Sequence, residues 1–185
     1  VEVKNEISKI TEYLSNGNLE AIQNRLAENS MPKGICVMLY GAPGTGKTET
    51  VYQIAKNTGR SIFHVNIGSV VSQWIGGTIN NLSNVFEKYN LLWKRSKMRG
   101  EEIPILLFNE ADELFGKRIE NVKQGSEIDA NNTQAMLLDS IERQEGIIMV
   151  TTNLAGNFDN AFERRFLFKI KFERPSLEIK KKIWK

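Results

Sequence analysis

The chain has 185 residues, 41% of them apolar and 25% charged, the balance of one globular domain with room for a fragment of another. Lysine and arginine number 25 against 22 aspartates and glutamates, and the resulting +3 is too slight to argue for a nucleic-acid or anionic-membrane partner. The single cysteine, Cys36, excludes an internal disulfide and a thiolate metal cluster, and no apolar run of about eighteen residues marks a membrane span.

Val3, Ile7, Ile10 and Leu14 recur at helical spacing and predict an amphipathic helix over 3–14. Asn16-Gly17-Asn18 stops it, and Leu19, Ile22 and Leu26 mark a second helix ahead of Asn29-Ser30-Met31-Pro32. This pair either covers the core or borders a bound base. Ile35-Cys36-Val37-Met38-Leu39-Tyr40, entered through Gly34, is a short apolar run of strand type, with Cys36 as a core residue. Next comes Gly41-Ala42-Pro43-Gly44-Thr45-Gly46-Lys47-Thr48, which fits G-x-x-x-x-G-K-[ST] and runs on into Glu49. Val51, Ile54 and Ala55 then recur at helical spacing until Asn57-Thr58-Gly59. Strand, glycine-rich loop and helix in that order are the setting in which this motif wraps nucleotide phosphates. Backbone N–H groups converge on the anion, Lys47 adds a charge for the β- and γ-phosphates, and the Thr48 hydroxyl suits Mg²⁺.

Ile62 to Ile67 reads as a second strand holding His64, the only histidine, which has no partners for a metal site. A helix is expected from Asn80 to about Lys97, with Leu82, Val85, Phe86, Tyr89, Leu92 and Trp93 along one face. Its closing cations, Lys94, Arg95, Lys97 and Arg99, suit a helix C-terminus. Ile103 to Phe108 is a third strand, almost continuously apolar as a strand covered on both faces is, and it delivers Asn109-Glu110-Ala111-Asp112-Glu113 at its end. The polar stretch from Lys117 to Asp129 is expected to be a surface loop. Ala135, Met136, Leu138 and Ile141 mark a helix up to about Gln144. Ile147 to Val150 makes a fourth strand ending in Thr151-Thr152-Asn153, and Phe166 to Phe172 an alternating fifth. Pro175-Ser176 opens a short basic helix. Strands alternating with helices predict an α/β fold, a three-layer P-loop NTPase type with a five-stranded, mostly parallel sheet and helices on both faces.

A phosphate loop, an apolar strand ending in Asn-Glu and a later strand ending in Thr-Thr-Asn, in this order, resemble the AAA+ ATPase family. Ser72-Gln73-Trp74-Ile75-Gly76 followed by Asn81-Leu82 is similar to the pore segment of the subfamily whose hexamers thread polypeptides. Asp159-Asn160-Ala161-Phe162-Glu163-Arg164-Arg165-Phe166 is similar to the stretch that carries its arginine fingers. The Asn-Lys-x-Asp of guanine-binding proteins is absent. The likeness runs roughly from Lys33 to Pro175. It implies N-terminal helices over 1–32, a large nucleotide-binding subdomain over 33–175, and over 176–185 the start of a helical lid cut short.

The resemblance further implies ATP and Mg²⁺ as cofactors, with Gly41 to Glu49 around the phosphates and Thr48 and Asn109 on the metal side. It makes Glu110 the group that polarises the attacking water and Asn153 the polar sensor touching that water or the γ-phosphate. Arg164 or Arg165 would serve a neighbouring subunit's site. Trp74, Ile75 and Gly76 would form the loop that grips a polypeptide substrate. A turn cap at Asn153, a solvated pair at Arg164 and Arg165 and a core position for Trp74 are the plainer alternatives. Asn109 departs from the family's aspartate: it keeps an acceptor oxygen but loses the charge, so weaker metal binding is expected. The function implied is Mg-dependent ATP hydrolysis coupled to remodelling of protein substrates in a cytoplasmic ring, a hexamer in the full-length protein. A nucleotide switch with blunted turnover is the alternative. A DNA-directed motor ranks lower, because the segment from Ser69 to Asn80 carries no lysine or arginine.

Overall fold

The computed structural model describes residues 2–15, 17–71, 77–115, 125–154 and 160–174. Two helices, α1 (Glu2–Tyr13) and α2 (Asn18–Glu28), lead into β1 (Ile35–Gly41) and α3 (Lys47–Asn57). Then follow β2 (Ile62–Val65), α4 (Ile67–Val70), α5 (Gly77–Arg99), β3 (Ile105–Phe108), α6 (Asp112–Phe115), α7 (Gly125–Arg143), β4 (Ile147–Thr152), α8 (Asn160–Glu163) and β5 (Phe168–Phe172).

The five strands form one sheet in the order β2-β3-β4-β1-β5. All four neighbouring pairs are parallel, so the expectation of a mostly parallel sheet sharpens to a wholly parallel one. Parallel pairing needs crossovers, and the alternation of strands with helices supplies them. The period-two alternation of side chains then divides the core in two. Cys36 and Met38 of β1, Leu106 and Phe108 of β3, and Ile148 and Val150 of β4 face the layer of α5, α6 and α7. Val37 and Leu39, Ile105 and Leu107, and Ile147 and Met149 face the layer of α1, α2 and α3. The near-continuous apolar runs of these strands follow from this double burial.

Ile10, Leu14 and Leu19 lie in the second layer, so the N-terminal helices do cover the core. Arg60 fastens them. Its guanidinium donates to the carbonyl of Leu14 at 2.8 Å and of Ile103 at 2.9 Å, and pairs with Glu102 at 2.6 Å. On the other face, the Tyr89 hydroxyl accepts from Ile147 N–H at 2.8 Å and donates towards the carbonyls of Pro104 and Ile147. One side chain thus satisfies the backbone where β3 and β4 begin. Gly146 beside it has no space for a Cβ, which would collide with the Tyr89 ring.

Several boundaries differ from the sequence reading. The second strand stops at Val65, and Ile67 opens α4. β3 starts at Ile105 because Pro104 has no N–H to give. The region expected to be a loop up to Asp129 is already helix from Gly125. Phe166 packs in the core just ahead of β5 rather than within it. The reading from Pro175 onward lies outside the described residues.

Candidate active site

In a parallel sheet, ligands sit beyond the carboxyl ends of the strands, where the strand order reverses. Here β1 runs between β4 and β5, and β4 lies between β1 and β3. The carboxyl ends of β1, β4 and β3 are therefore side by side. They carry the phosphate-loop motif, Asn153 and Asn109-Glu110 respectively, so residues spread over a hundred positions meet in one place.

The loop leaves β1 through Gly41, whose φ is 136° and whose Cβ position is taken by the Phe172 carbonyl of β5. Only glycine fits there. Gly46, at φ 91°, turns the chain into α3, whose first turn therefore points its free N–H groups and positive dipole end back at the loop. Lys47 is buried, and its ammonium donates to the carbonyls of Gly41 at 2.8 Å and Ala42 at 2.9 Å and to Asn153 Oδ1 at 2.9 Å. All three of its N–H donors are used. Burial lowers the Lys47 pKa, and the carboxylates of Asp112 and Glu110 act against that shift.

Thr48 Oγ1 donates to Asn109 Oδ1 at 2.7 Å, and Thr151 Oγ1 donates to the same oxygen at 2.8 Å. Thr151 also receives Glu110 N–H on its hydroxyl at 3.0 Å and Ala111 N–H on its carbonyl at 3.0 Å. These bonds hold Glu110 at φ 54°, a left-handed conformation that costs a non-glycine residue about 1–2 kcal/mol. Its carboxylate is exposed and lines a cavity of about 560 Å³ with Asn109, Asp112, Glu113, Asn153, His64 and Asn66. That volume suits a bound small molecule.

As a cation site, Thr48 Oγ1 and Asn109 Oδ1 offer hard oxygen ligands beside nearby carboxylates. This is the donor chemistry of Mg²⁺, which takes few protein ligands and the remainder from phosphates and water. No group of three or more His, Cys, Asp or Glu side chains is placed to hold a metal among the described residues. A metal here would thus depend on the nucleotide's own oxygens.

Lys47, Thr48, Asn109, Glu110 and Asn153 thus come together as the motifs suggest. Arg164 and Arg165 do not join them. They lie near Gly34 and Cys36 at the amino end of β1, around a second cavity of about 440 Å³. The two differ. Arg165 pairs with Glu142 at 3.0 Å and donates to the Ala161 carbonyl at 2.9 Å, whereas Arg164 is exposed and makes no such bond among the described residues. Trp74, Ile75 and Gly76 lie outside the described residues.

Sequence reasoning missed three participants. Thr151 shapes both Asn109 and Glu110. His64 is exposed on the cavity wall rather than an anonymous strand residue. Asp112 binds Thr152 and Asn153. The signal for Asp112 was in plain view in the acidic run after β3, but its partners lie forty residues on.

Comparison with known proteins shows the family and the fold. The profile of the family described as "ATPase family associated with various cellular activities (AAA)" matches residues 37–174. "Cell division protein C" of Sulfolobus acidocaldarius is 30% identical over 156 residues, covering 82% of this chain and 40% of that protein. The "26S proteasome regulatory subunit 4 homolog" of Saccharomyces cerevisiae is 29% identical over 158 residues, 82% of this chain and 33% of that protein. The chain thus spans less than half the length of these relatives. Among solved structures, a chain of the E. coli MS115-1 HORMA:CdnC:Trip13 complex superposes with a TM-score of 0.66 at 22% identity, over 96% of this chain and 64% of that one, which speaks for the fold. The chain belongs to the AAA family of ATPases.

Proposed function

We propose that the chain is the nucleotide-binding core of a Mg-dependent ATP hydrolase that works in a ring, a hexamer in the full-length protein, and remodels or threads protein substrates in the cytoplasm. The convergence of Lys47, Thr48, Asn109, Glu110 and Asn153 at three adjacent strand ends carries this reading. Residues 41–49 bind the phosphates, Lys47 exchanging its backbone partners for phosphate oxygens. Thr48 and Asn109 would hold Mg²⁺, which would neutralise phosphate charge when bound. The exposed Glu110 carboxylate takes up a proton of the attacking water, and Asn153 holds that water. The domain division stays as read from the sequence, 1–32, 33–175 and 176–185.

Among the described residues no arginine lines the cavity at this end of the sheet, and an arginine brought by a neighbour in a ring would supply it. Arg164 stands at the opposite end of a seven-residue strand, roughly 20 Å from the loop by strand rise, too far for its side chain to reach its own site. A neighbour's Arg164 fits the need. Arg165, tied to Glu142, has a structural task instead. Trp74, with Ile75 and Gly76, is the proposed polypeptide contact. Nucleic acid is not the favoured partner, and among the described residues no helix is long and apolar enough to cross a membrane.

Steady-state ATP hydrolysis compared with Glu110→Gln tests the reading. Turnover lost in the variant with nucleotide binding kept supports it. Binding without turnover in both proteins favours the alternative, a nucleotide switch blunted at Asn109.

A further inference from the structure

We infer that Asp112 is a positioning residue for hydrolysis: its carboxylate fixes the Asn153 amide so that the carbonyl oxygen, and not the NH₂ group, faces the phosphate end of the site. The inference rests on the reading of Asn153 as the group that meets the attacking water.

Asp112 opens α6, four residues past the end of β3, and reaches across to the end of β4. Its Oδ1 accepts the Asn153 backbone N–H at 2.7 Å and the Thr152 hydroxyl, and its Oδ2 accepts Asn153 Nδ2 at 3.2 Å. Thr152 in turn accepts Leu154 N–H at 3.2 Å, which continues the clamp along the chain leaving β4. An ionised carboxylate can only accept, so it draws the NH₂ end of the Asn153 amide towards itself. On the far side stands the Lys47 ammonium, which can only donate and does so to Asn153 Oδ1 at 2.9 Å. The amide is held between an acceptor-only and a donor-only group, and both demand the same orientation.

When Lys47 turns to the phosphates, Asn153 is left with its oxygen towards the site while Asp112 still holds its nitrogen. Asn153 then acts as an acceptor for one water hydrogen, and Glu110 is the acceptor for the other. With both hydrogens engaged, the free lone pair of the water is directed at the γ-phosphorus. The new P–O bond forms from that lone pair. The bond to the bridging oxygen breaks with its electron pair leaving on ADP, and a water proton passes to Glu110. Without Asp112 the amide is free to rotate and present its NH₂ group, which cannot hold the water in this sense.

The test is Asp112→Asn, which keeps the shape but removes the acceptor-only character. Turnover should fall at least tenfold, with KM for ATP and affinity for a fluorescent ATP analogue within twofold and the melting temperature within a few degrees. In an Asn153→Ala background the same substitution should cause little further loss. Unchanged turnover overturns the inference, and so does an equal loss in that background, since Asp112 would not then act through Asn153. A second measurement holds whether or not the chain turns over. The Asn153 side-chain NH₂ signals in ¹H–¹⁵N spectra should shift and lose exchange protection in Asp112→Asn. Signals that stay in place sink the proposal, whereas absent turnover in the unsubstituted protein counts only against the hydrolase reading.

Discussion

Thr48 and Asn109, sixty-one positions apart, are joined by a single hydrogen bond of 2.7 Å that closes α3 onto the end of β3. Asn109 Oδ1 receives a second hydroxyl from Thr151, so a neutral oxygen gathers two donors where a carboxylate would also bring a charge. The bonding is intact without that charge, so on the proposed reading the cost of asparagine here falls on metal affinity and not on folding.

Asn109→Asp should therefore lower the Mg²⁺ concentration for half-maximal turnover by about tenfold, equivalent to about 1.4 kcal/mol, and raise turnover at limiting Mg²⁺. Titration of activity with Mg²⁺ at fixed ATP decides the matter. Identical curves for the two proteins would remove Asn109 from the metal site.

Glu110 pays for its place in left-handed backbone, at φ 54°. Replacing it with alanine leaves that strain, whereas glycine relieves it. Glu110→Gly should be more stable than Glu110→Ala by about 1 kcal/mol, although both lose turnover. Urea unfolding of the two variants measures the difference. A glycine variant that is the less stable of the two would show that the surrounding bonds do not impose the strain.

Arg164 and Arg165 are adjacent in sequence but separable by experiment. Arg164→Ala should leave the melting temperature unchanged and lower ring turnover by about a thousandfold or more, the scale of a lost arginine finger. Arg165→Ala breaks the pairing with Glu142 and the bond to Ala161. It should cost about 2 kcal/mol and lower the melting temperature by about 5 °C. The reverse pattern would exchange their roles.

Cys36 is enclosed in the core, and burial pushes its thiol up from 9.0 to about 12. Below pH 9 the thiol is protonated in both folded and unfolded chains, and its contribution to stability is complete. Above that the unfolded thiol ionises and the folded one does not, so stability falls by about 1.4 kcal/mol per pH unit up to about pH 12. Burial shifts the Tyr89 phenol in the same direction. Denaturation at pH 8 and pH 10 should show a shallower decline for Cys36→Ala than for the unsubstituted chain. At pH 8 a thiol reagent should label Cys36 only on unfolding.

Much of this site is legible in the chain because short motifs announce it. Gly41 to Thr48 declares a phosphate loop, and Asn109, Glu110 and Asn153 stand at strand ends that apolar runs mark clearly. What spacing does not encode is which strand end lies beside which. The order β2-β3-β4-β1-β5 brings Asp112 to Asn153 and Thr151 to Asn109, and no local pattern distinguishes those partners from other polar residues. Tyr89 is similar: its helical periodicity marks a core residue, while the carbonyls and N–H it satisfies belong to strands that begin far along the chain. Arg164 and Arg165 look alike in sequence because the difference between them is Glu142, on another helix.

Lys47 spends all of its donors inside its own protein, on Gly41, Ala42 and Asn153. On the proposed reading, phosphate oxygens would take the place of these partners. A guest must return as many acceptors as it displaces, and a β,γ-diphosphate can. AMP and adenosine lack those oxygens, so for them the lysine is better off at home. On the proposed reading the loop should bind ATP and ADP more tightly than AMP or adenosine, which nucleotide titration of the intact chain would show.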